Sequence, residues 1–265
     1  MKVPSRIESV SNPRIIDLER RIRRGETMLV EGEKLISEAF RAGSRLDSIL
    51  VTAEAIDTEV VYEATREGVE ILEVSSRVLE RLTDLPSSRG VAAVAPVPEM
   101  LPPEVLPEST ELILGLDGIQ DPANVGVILR SFRAFGGREV VLMPGTASPY
   151  SSKALRASSG AAFHLLFFRL EKPGDVSLLG ADKGRTLLGL SAHQGEPPRN
   201  FDASQSCLLF VGSEGHGLSQ ETEDCLDGFV RIPMPGGTES LNAAVAASIV
   251  LYELSLQAGA PSQPD

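Results

Sequence analysis

Between Pro96 and Pro107 the chain places five prolines in twelve residues, Pro96-Val97-Pro98-Glu99-Met100-Leu101-Pro102-Pro103-Glu104-Val105-Leu106-Pro107. Each proline removes a backbone donor and fixes φ, so neither a helix nor an interior strand can run through the stretch. It reads as a semi-rigid extended linker, and whatever folds on either side must bury its own core. A chain of 265 residues is long enough for two such cores. The expected division is a domain over 1–95, the linker over 96–109, a second domain over 110–258 and a flexible tail over 259–265.

With 42% hydrophobic and 23% charged residues, both sides have the means to pack. No apolar run approaches the roughly 20 residues needed to cross a bilayer. The start, Met1-Lys2-Val3-Pro4-Ser5-Arg6, lacks the apolar core of a secretory signal. Two cysteines, Cys207 and Cys225, can build neither a disulfide framework nor a four-thiolate zinc site. The expectation is a cytoplasmic protein with no membrane partner and no metal.

A formal charge of −12 argues against a polyanionic partner, but the average hides two basic stretches. Residues 1–24 carry Lys2, Arg6, Arg14, Arg20, Arg21, Arg23 and Arg24 against Glu8, Asp17 and Glu19. Residues 130–156 carry Arg130, Arg133, Arg138, Lys153 and Arg156 against Glu139 alone. Any contact with nucleic acid would be local to these.

Before the linker, Asn12 can cap a helix with Pro13 at its first position, running to Arg24 and stopping at Gly25. Strands are expected at Met28–Val30, Asp47–Val51, 69–74 and Val91–Ala95, with helices at Glu33–Arg41 and 54–67. This is a small α/β domain. After the linker, short apolar runs at 112–116, 140–143, 165–168, 187–190, 207–211 and 229–232 alternate with helical or loop segments. Such runs suit strands buried on both faces, so a mainly parallel α/β sheet is expected, with ligands at the strands' carboxyl ends. Helices are expected at 125–135 and 241–256, the latter with Leu241, Val245, Ala246, Ile249, Leu254 and Leu256 along one broad face.

Three loops in this second half carry polar groups just after apolar strands. The first, Asp117-Gly118-Ile119-Gln120-Asp121-Pro122-Ala123-Asn124, leads into a helix bearing Arg130, with Asn124 placed to cap it. The second, Gly212-Ser213-Glu214-Gly215-His216-Gly217, has glycines where a ligand could approach the main chain. Its order is not that of a dinucleotide fold, and no lysine follows as in a phosphate loop. The third, Arg231-Ile232-Pro233-Met234-Pro235-Gly236-Gly237-Thr238-Glu239-Ser240-Leu241-Asn242, is held extended by its prolines, and Ser240 is placed to cap the last helix. Free N–H groups at that helix start could serve a ligand carboxylate. His164 and His193 read as structural, His216 as part of a tight turn, and Cys207 as strand core.

Together these loops resemble the three motifs of the SpoU (TrmH-like) branch of the SPOUT methyltransferases. Pro122, Asn124, Gly126 and Arg130 meet the first motif; Gly212, Glu214 and Gly217 the second; Ile232, Pro233, Met234, Ser240, Leu241 and Asn242 the third. Lys153, Arg156, Ser158 and Gly160 are similar to a Lys-x-x-x-x-Ser-x-Gly stretch of the same family. Residues 6–95 resemble the ribosomal-protein-like substrate-binding domain that precedes the catalytic domain in many rRNA members, through Ser9, Asn12-Pro13, Glu31-Gly32 and Arg89-Gly90-Val91-Ala92.

The resemblance implies a deep trefoil knot in the second domain and S-adenosyl-L-methionine (AdoMet) as co-substrate. It implies cofactor contacts from Leu209, Gly212, Ile232, Met234, Leu241 and Asn242. It further implies transfer of a methyl group to a ribose 2′-hydroxyl of RNA, with 23S rRNA as the partner, by a homodimer that needs no metal. Arg130 would be the general base or activator of the hydroxyl, or would position a phosphate while another group or water takes the proton. Asn124 would orient Arg130 or the ribose, and Glu214, Ser240 and Asn242 would shape the pocket and contact substrate. Three alternatives stand beside this reading. They are a non-catalytic rRNA-binding assembly factor, a tRNA 2′-O-methyltransferase, and a nucleotide-dependent α/β enzyme using 207–217 as its phosphate loop.

Overall fold

The computed structural model describes residues 5–83, 90–108, 112–180, 183–202 and 206–257. Lys2, Arg89 and the tail over 259–265 lie outside the described residues. The chain divides into two compact units, one of Met1–Glu99 with Tyr150–Phe163 and one of Met100–Pro149 with His164–Asp265.

The first unit is a mixed five-stranded sheet. Strands β1 (Ser5–Ile7), β2 (Thr27–Glu31), β3 (Ser48–Val51), β4 (Glu70–Val74) and β5 (Val91–Pro96) lie in the order β1-β4-β3-β5-β2. β4 runs parallel to β1 and β3, and β5 runs antiparallel to β3 and β2. Helix α1 (Pro13–Arg23) starts as Asn12 requires, its Oδ1 accepting from the Arg14 amide at 2.9 Å, and the chain turns at Gly25 with φ +70°. Ile15 and Leu18 of α1 pack with Leu29, Leu50, Leu72 and Val94 of the sheet. Helix α2 (Glu33–Arg41) keeps its expected bounds. The helix expected over 54–67 does not form as one piece: a 3₁₀ turn at Ala53–Ala55 precedes α3 (Glu59–Arg66), because Thr58 is extended at the α3 start. Helix α4 (Ser76–Leu82) follows, capped by Ser75.

The second unit is an all-parallel six-stranded sheet of β6 (Leu112–Asp117), β7 (Glu139–Leu142), β8 (Leu166–Arg169), β9 (Thr186–Leu190), β10 (Cys207–Gly212) and β11 (Gly228–Val230). β6 and β10 are buried at every position, as the continuous apolar runs demand. Phe210 presses its ring where Gly115 has no side chain: a Cβ there would sit 2.3 Å from the ring. Burial also pushes the Cys207 thiol up to about 12, in keeping with a core residue.

The strand order is β11-β9-β10-β6-β7-β8. From β6 the chain builds outward through β7 and β8, then returns so that β10 pairs with β6 from the other side. The reversal falls between β6 and β10, whose last residues, Asp117 and Gly212, are register partners. A parallel sheet binds ligands at such a switch point.

Two helices begin elsewhere than the sequence suggested. Helix α5 is Pro122–Ala134, capped by Asp121, whose Oδ1 accepts from the Ala123 amide at 3.0 Å. Proline at the first helical position explains the early start, and it releases Asn124 from capping. After the short α7 (Gln220–Glu223), helix α8 is Ala243–Gln257, and its cap is Asn242 rather than Ser240. Its apolar residues do not share one face: Ala244, Ala247, Val250, Leu251 and Leu254 are buried, whereas Val245, Ile249 and Leu256, and Leu241 just before the helix, are exposed.

The proline-rich segment is stitched down from Met100 onward. Leu101 pairs in parallel with Phe168 of β8, and the buried Arg185 guanidinium donates to the Leu106 and Pro107 carbonyls at 3.3 and 2.7 Å. Tyr150–Phe163, within the range expected for the second domain, groups with the first unit through α6 (Ser152–Ala157), which packs on β2.

Candidate functional site

The carboxyl ends of β9 and β10 open into a cavity of about 600 Å³, a size that suits a small-molecule ligand. Three loops wall it: the turn after β10 (212–218), the proline-rich loop before α8 (Ile232, Met234 and 239–242), and the segment after β9 (190–194).

The turn after β10 is folded back on itself. The Ser213 and Gly217 main chains exchange two hydrogen bonds of 2.9 Å. A Cβ on Gly212 would lie 2.2 Å from the Gly217 carbonyl carbon, so only glycine fits there, and Gly217 is left-handed at φ +69°. Asp117, buried at the end of β6, anchors the far side of the turn, its Oδ2 accepting from the Ser219 amide at 2.8 Å and hydroxyl at 2.9 Å. The loop before α5 is latched in turn: Thr146 Oγ1 accepts from the Gly118 amide at 3.0 Å and donates to the Leu116 carbonyl at 2.8 Å.

One residue from each motif meets at the rim. Asn124 Nδ2 donates to Glu214 Oε1 at 2.9 Å, Asn242 Nδ2 donates to Asn124 Oδ1 at 3.2 Å, and Asn242 Nδ2 also donates to Glu214 Oε1. Asn242 Oδ1 accepts from the Ala244 and Val245 amides at 3.0 and 3.2 Å. That cap consumes amides at the α8 start that the sequence reading had offered to a ligand. Ser240, relieved of capping, lines the cavity.

The predicted residues therefore fall into three groups. Gly212, Glu214, Ile232, Met234, Ser240, Leu241 and Asn242 line the cavity together. Leu209 does not: it is fully buried inside β10. Asn124 joins the rim through Glu214 and Asn242, while Arg130 is exposed on α5 and is not a cavity residue. His193, read as structural, lines the cavity beside Gln194, and His216 lines it as well. The signal for the β9 wall was available, since the apolar run 187–190 ends in Ser191-Ala192-His193-Gln194, as β10 ends in its own polar turn.

Among the described residues the cavity has three carboxylates on its wall, Glu214, Glu223 and Glu239, and no lysine or arginine. It suits a ligand with positive charge and disfavours a polyphosphate. No group of three or more His, Cys, Asp or Glu side chains among the described residues is placed to hold a metal ion, and no described helix is long and apolar enough to cross a membrane.

The two basic stretches resolve differently. Every described arginine of the first has a carboxylate within 4.0 Å: Arg6 with Glu8, Arg14 with Glu70, Arg20 with Asp17, Arg21 with Asp47, Arg23 with Glu19 and Arg24 with Glu26. Four of these partners are sequence neighbours, and Arg14 and Arg21 meet acids distant in sequence. Of the second stretch, Lys153 and Arg156 belong to the first unit and Arg130, Arg133 and Arg138 to the second.

Residues 111–252 match the SpoU rRNA methylase family, and residues 15–93 match an MRM3-like substrate-binding domain. The chain belongs to the SpoU rRNA methylase family. It is an RNA methyltransferase of that family. An uncharacterised tRNA/rRNA methyltransferase of Mycobacterium tuberculosis is 34% identical over 251 residues, covering 91% of this chain and 78% of that protein. A namesake from Mycobacterium ulcerans is 36% identical over 244 residues, covering 89% and 79%. The SpoU methyltransferase AviRb of Streptomyces viridochromogenes, solved with the cofactor AdoMet, superposes with TM-score 0.81 at 29% identity, covering 93% of this chain and 98% of that one. A solved RNA 2′-O ribose methyltransferase superposes with TM-score 0.75 at 29% identity, covering 95% and 98%.

Proposed function

We propose that this SpoU methyltransferase transfers the methyl group of AdoMet to a ribose 2′-hydroxyl of 23S rRNA. The observation that carries the reading is the cavity at the carboxyl ends of β9 and β10, built from the second and third motif loops and walled by carboxylates without a lysine or arginine. AdoMet supplies a methyl group already activated on a sulfonium, and its net positive charge fits that wall. Gly212, Ile232 and Leu241 would hold it through their main chains, with Met234 and Asn242 beside them.

The protein's remaining task is to orient a hydroxyl and help remove its proton. The Asn124–Glu214–Asn242 network fixes the rim where that hydroxyl arrives. Arg130 lies on α5 three residues from the exposed Val127, hence on the same side of the helix. Val245, Ile249, Tyr252 and Leu256 form an exposed apolar stripe on α8, which packs against α5 through a Ser131–Ser248 hydroxyl pair at 2.7 Å. We read the stripe as the contact with a second copy, and Arg130 as acting on the donor held by that copy. Arg130 then activates the hydroxyl or holds the adjacent phosphate.

The first unit would hold the rRNA, as the match to a substrate-binding domain supports. The trefoil knot belongs to the same proposal. It is supported by the course of the chain, for β11 closes one edge of the sheet, yet α8 packs on α5, the helix that follows central β6. Localisation in the cytoplasm, where rRNA is assembled, follows from the reading.

The test is transfer from methyl-labelled AdoMet to in vitro-transcribed 23S rRNA, with the product mapped by resistance to alkaline cleavage. Arg130→Ala should lose about 10²–10⁴-fold in transfer while calorimetry shows AdoMet binding retained. AdoMet binding without transfer to any RNA would favour the assembly factor, and transfer to tRNA transcripts alone would move the substrate.

A further inference from the structure

Two of the three carboxylates on the cavity wall are unengaged. Glu214 accepts from Asn124 and Asn242 at the rim, whereas the side chains of Glu223 and Glu239 have no hydrogen-bond or ion-pair partner among the described residues. Glu223 lies outside all three motifs, yet its position is fixed. Asp117, which anchors the turn after β10 through Ser219, also sets the start of α7. There the Ser219 and Thr222 hydroxyls pair at 2.8 Å, Thr222 is fully buried, and the Glu223 amide donates to the Ser219 carbonyl at 3.0 Å. One helical turn thus carries a half-buried carboxylate to the cavity wall. Burial of an unpaired charge costs stability, and an entering cation offsets that cost.

Methyl transfer changes the charge of what the cavity holds. As the hydroxyl oxygen takes the methyl group, its proton leaves and the C–S bond breaks with its electron pair on sulfur, so the sulfonium becomes a neutral thioether. AdoMet and its product, S-adenosylhomocysteine, thus differ by one methyl group and one positive charge. A sphere of 600 Å³ is roughly 10 Å across, so a charge near its centre lies within about one Debye length of the whole wall at physiological ionic strength. At about 8 Å, one carboxylate changes the affinity for a unit positive charge by about twofold even at the dielectric constant of water, and three together reach about tenfold. We propose that Glu223 and Glu239 are specificity-determining residues: with Glu214 they make the cavity select the charged methyl donor over its own neutral product, so that transfer itself weakens the hold on the product. The cavity and its motif loops define the site, and these carboxylates decide which charge it retains. The proposal rests on the reading above, that AdoMet occupies this cavity.

The test uses the full chain and three ligands of closely similar shape: AdoMet, S-adenosylhomocysteine, and sinefungin, which carries an ammonium where AdoMet carries the methylated sulfur. Calorimetry gives their affinities near pH 7.5, above the usual histidine titration, because His193 and His216 also line the wall. Wild type should bind AdoMet and sinefungin about tenfold more tightly than S-adenosylhomocysteine at low salt. The gap should narrow to about threefold at about 0.5 M salt, where screening is strong. A Glu223→Gln, Glu239→Gln double variant should narrow it to about threefold at low salt, through weaker binding of the charged ligands, with the product's affinity kept within about twofold. If that variant fails to fold, the salt series on wild type decides. Equal affinities, tighter binding of S-adenosylhomocysteine, or a gap that salt or the double variant leaves unmoved would overturn the proposal. Binding of none of the three by wild type would instead fall on the occupancy of the cavity by AdoMet and on the function proposed above.

Discussion

The Asn124 side-chain amide donates to the Glu214 carboxylate at 2.9 Å, joining positions 90 residues apart, and the Asn242 amide donates to the same oxygen. One acceptor thus orders two motif loops and the start of α8.

Glu214→Ala should therefore disorganise the rim rather than unfold the protein, because Glu214 is exposed. Single-turnover methyl transfer at saturating AdoMet and RNA should fall about 10²-fold, as for a small displacement of positioning groups. Glu214→Gln should retain part of the rate, since its side-chain oxygen can still accept from both amides. Equal loss in the two variants would assign the effect to charge, not to the shared acceptor.

Gly212 tests the construction of the cavity floor. A Cβ there meets the Gly217 and Leu218 main chains within 2.4 Å, and backbone cannot step aside as a side chain can. Gly212→Ala should cost about 1–3 kcal/mol, seen as a fall in melting temperature of roughly 2–4 °C per kcal/mol in a chain this size. AdoMet-induced thermal stabilisation should vanish with it. Gly174→Ala, away from the cavity wall and with nothing within 4 Å of its Cβ, is the matched control and should leave both readouts unchanged.

These residues show what the sequence made legible. Strands β6 to β11 could be read because a sheet buried on both faces needs unbroken apolar runs, and the three motif loops could be placed at their ends. The rule that puts Pro13 at the start of α1 applies equally to Pro122, and its use there would have released Asn124 from capping. Strand order was not legible, since insertion of β10 between β9 and β6 depends on pairing between β6 and β10, whose register partners such as Leu112 and Cys207 are far apart in sequence. Nor could local charge show that Arg156 pairs with Glu31, 125 positions earlier, or that acids such as Asp47 and Glu70 meet the arginines of α1. Charge runs in sequence are not patches in space.

The α8 stripe predicts the oligomeric state. Ile249 and Tyr252 are 39% and 48% exposed, so a charge there is well tolerated by the fold of one copy. Such surface changes alter stability by about 0.5 kcal/mol or less. An Ile249→Glu, Tyr252→Glu double variant should sediment as a monomer where wild type sediments as a dimer, with its melting profile at low concentration little changed. Transfer should be lost, because Arg130 would no longer reach a partner's methyl donor. A double variant that is monomeric and fully active would place Arg130 over its own copy's cavity; a wild type that is itself monomeric would remove the dimer.

Glu139 gives a prediction about pH. It begins β7, is buried opposite Leu166 of β8, and burial raises its carboxyl pKa above 4.5, against a smaller lowering by Arg138 and its own backbone. The native state then binds this proton more tightly than the unfolded chain does. Stability from this group is present in full below the unfolded pKa and is lost as pH rises through the native one. Above that range the native state must hold a desolvated charge. Glu139→Gln removes the titration while keeping the shape, so its melting temperature should match wild type near pH 4 and exceed it at pH 7 to 8. Parallel thermal melts across pH 4 to 8 measure the difference, and a variant less stable than wild type at pH 8 would mean that the ionised carboxylate is stabilised by its surroundings.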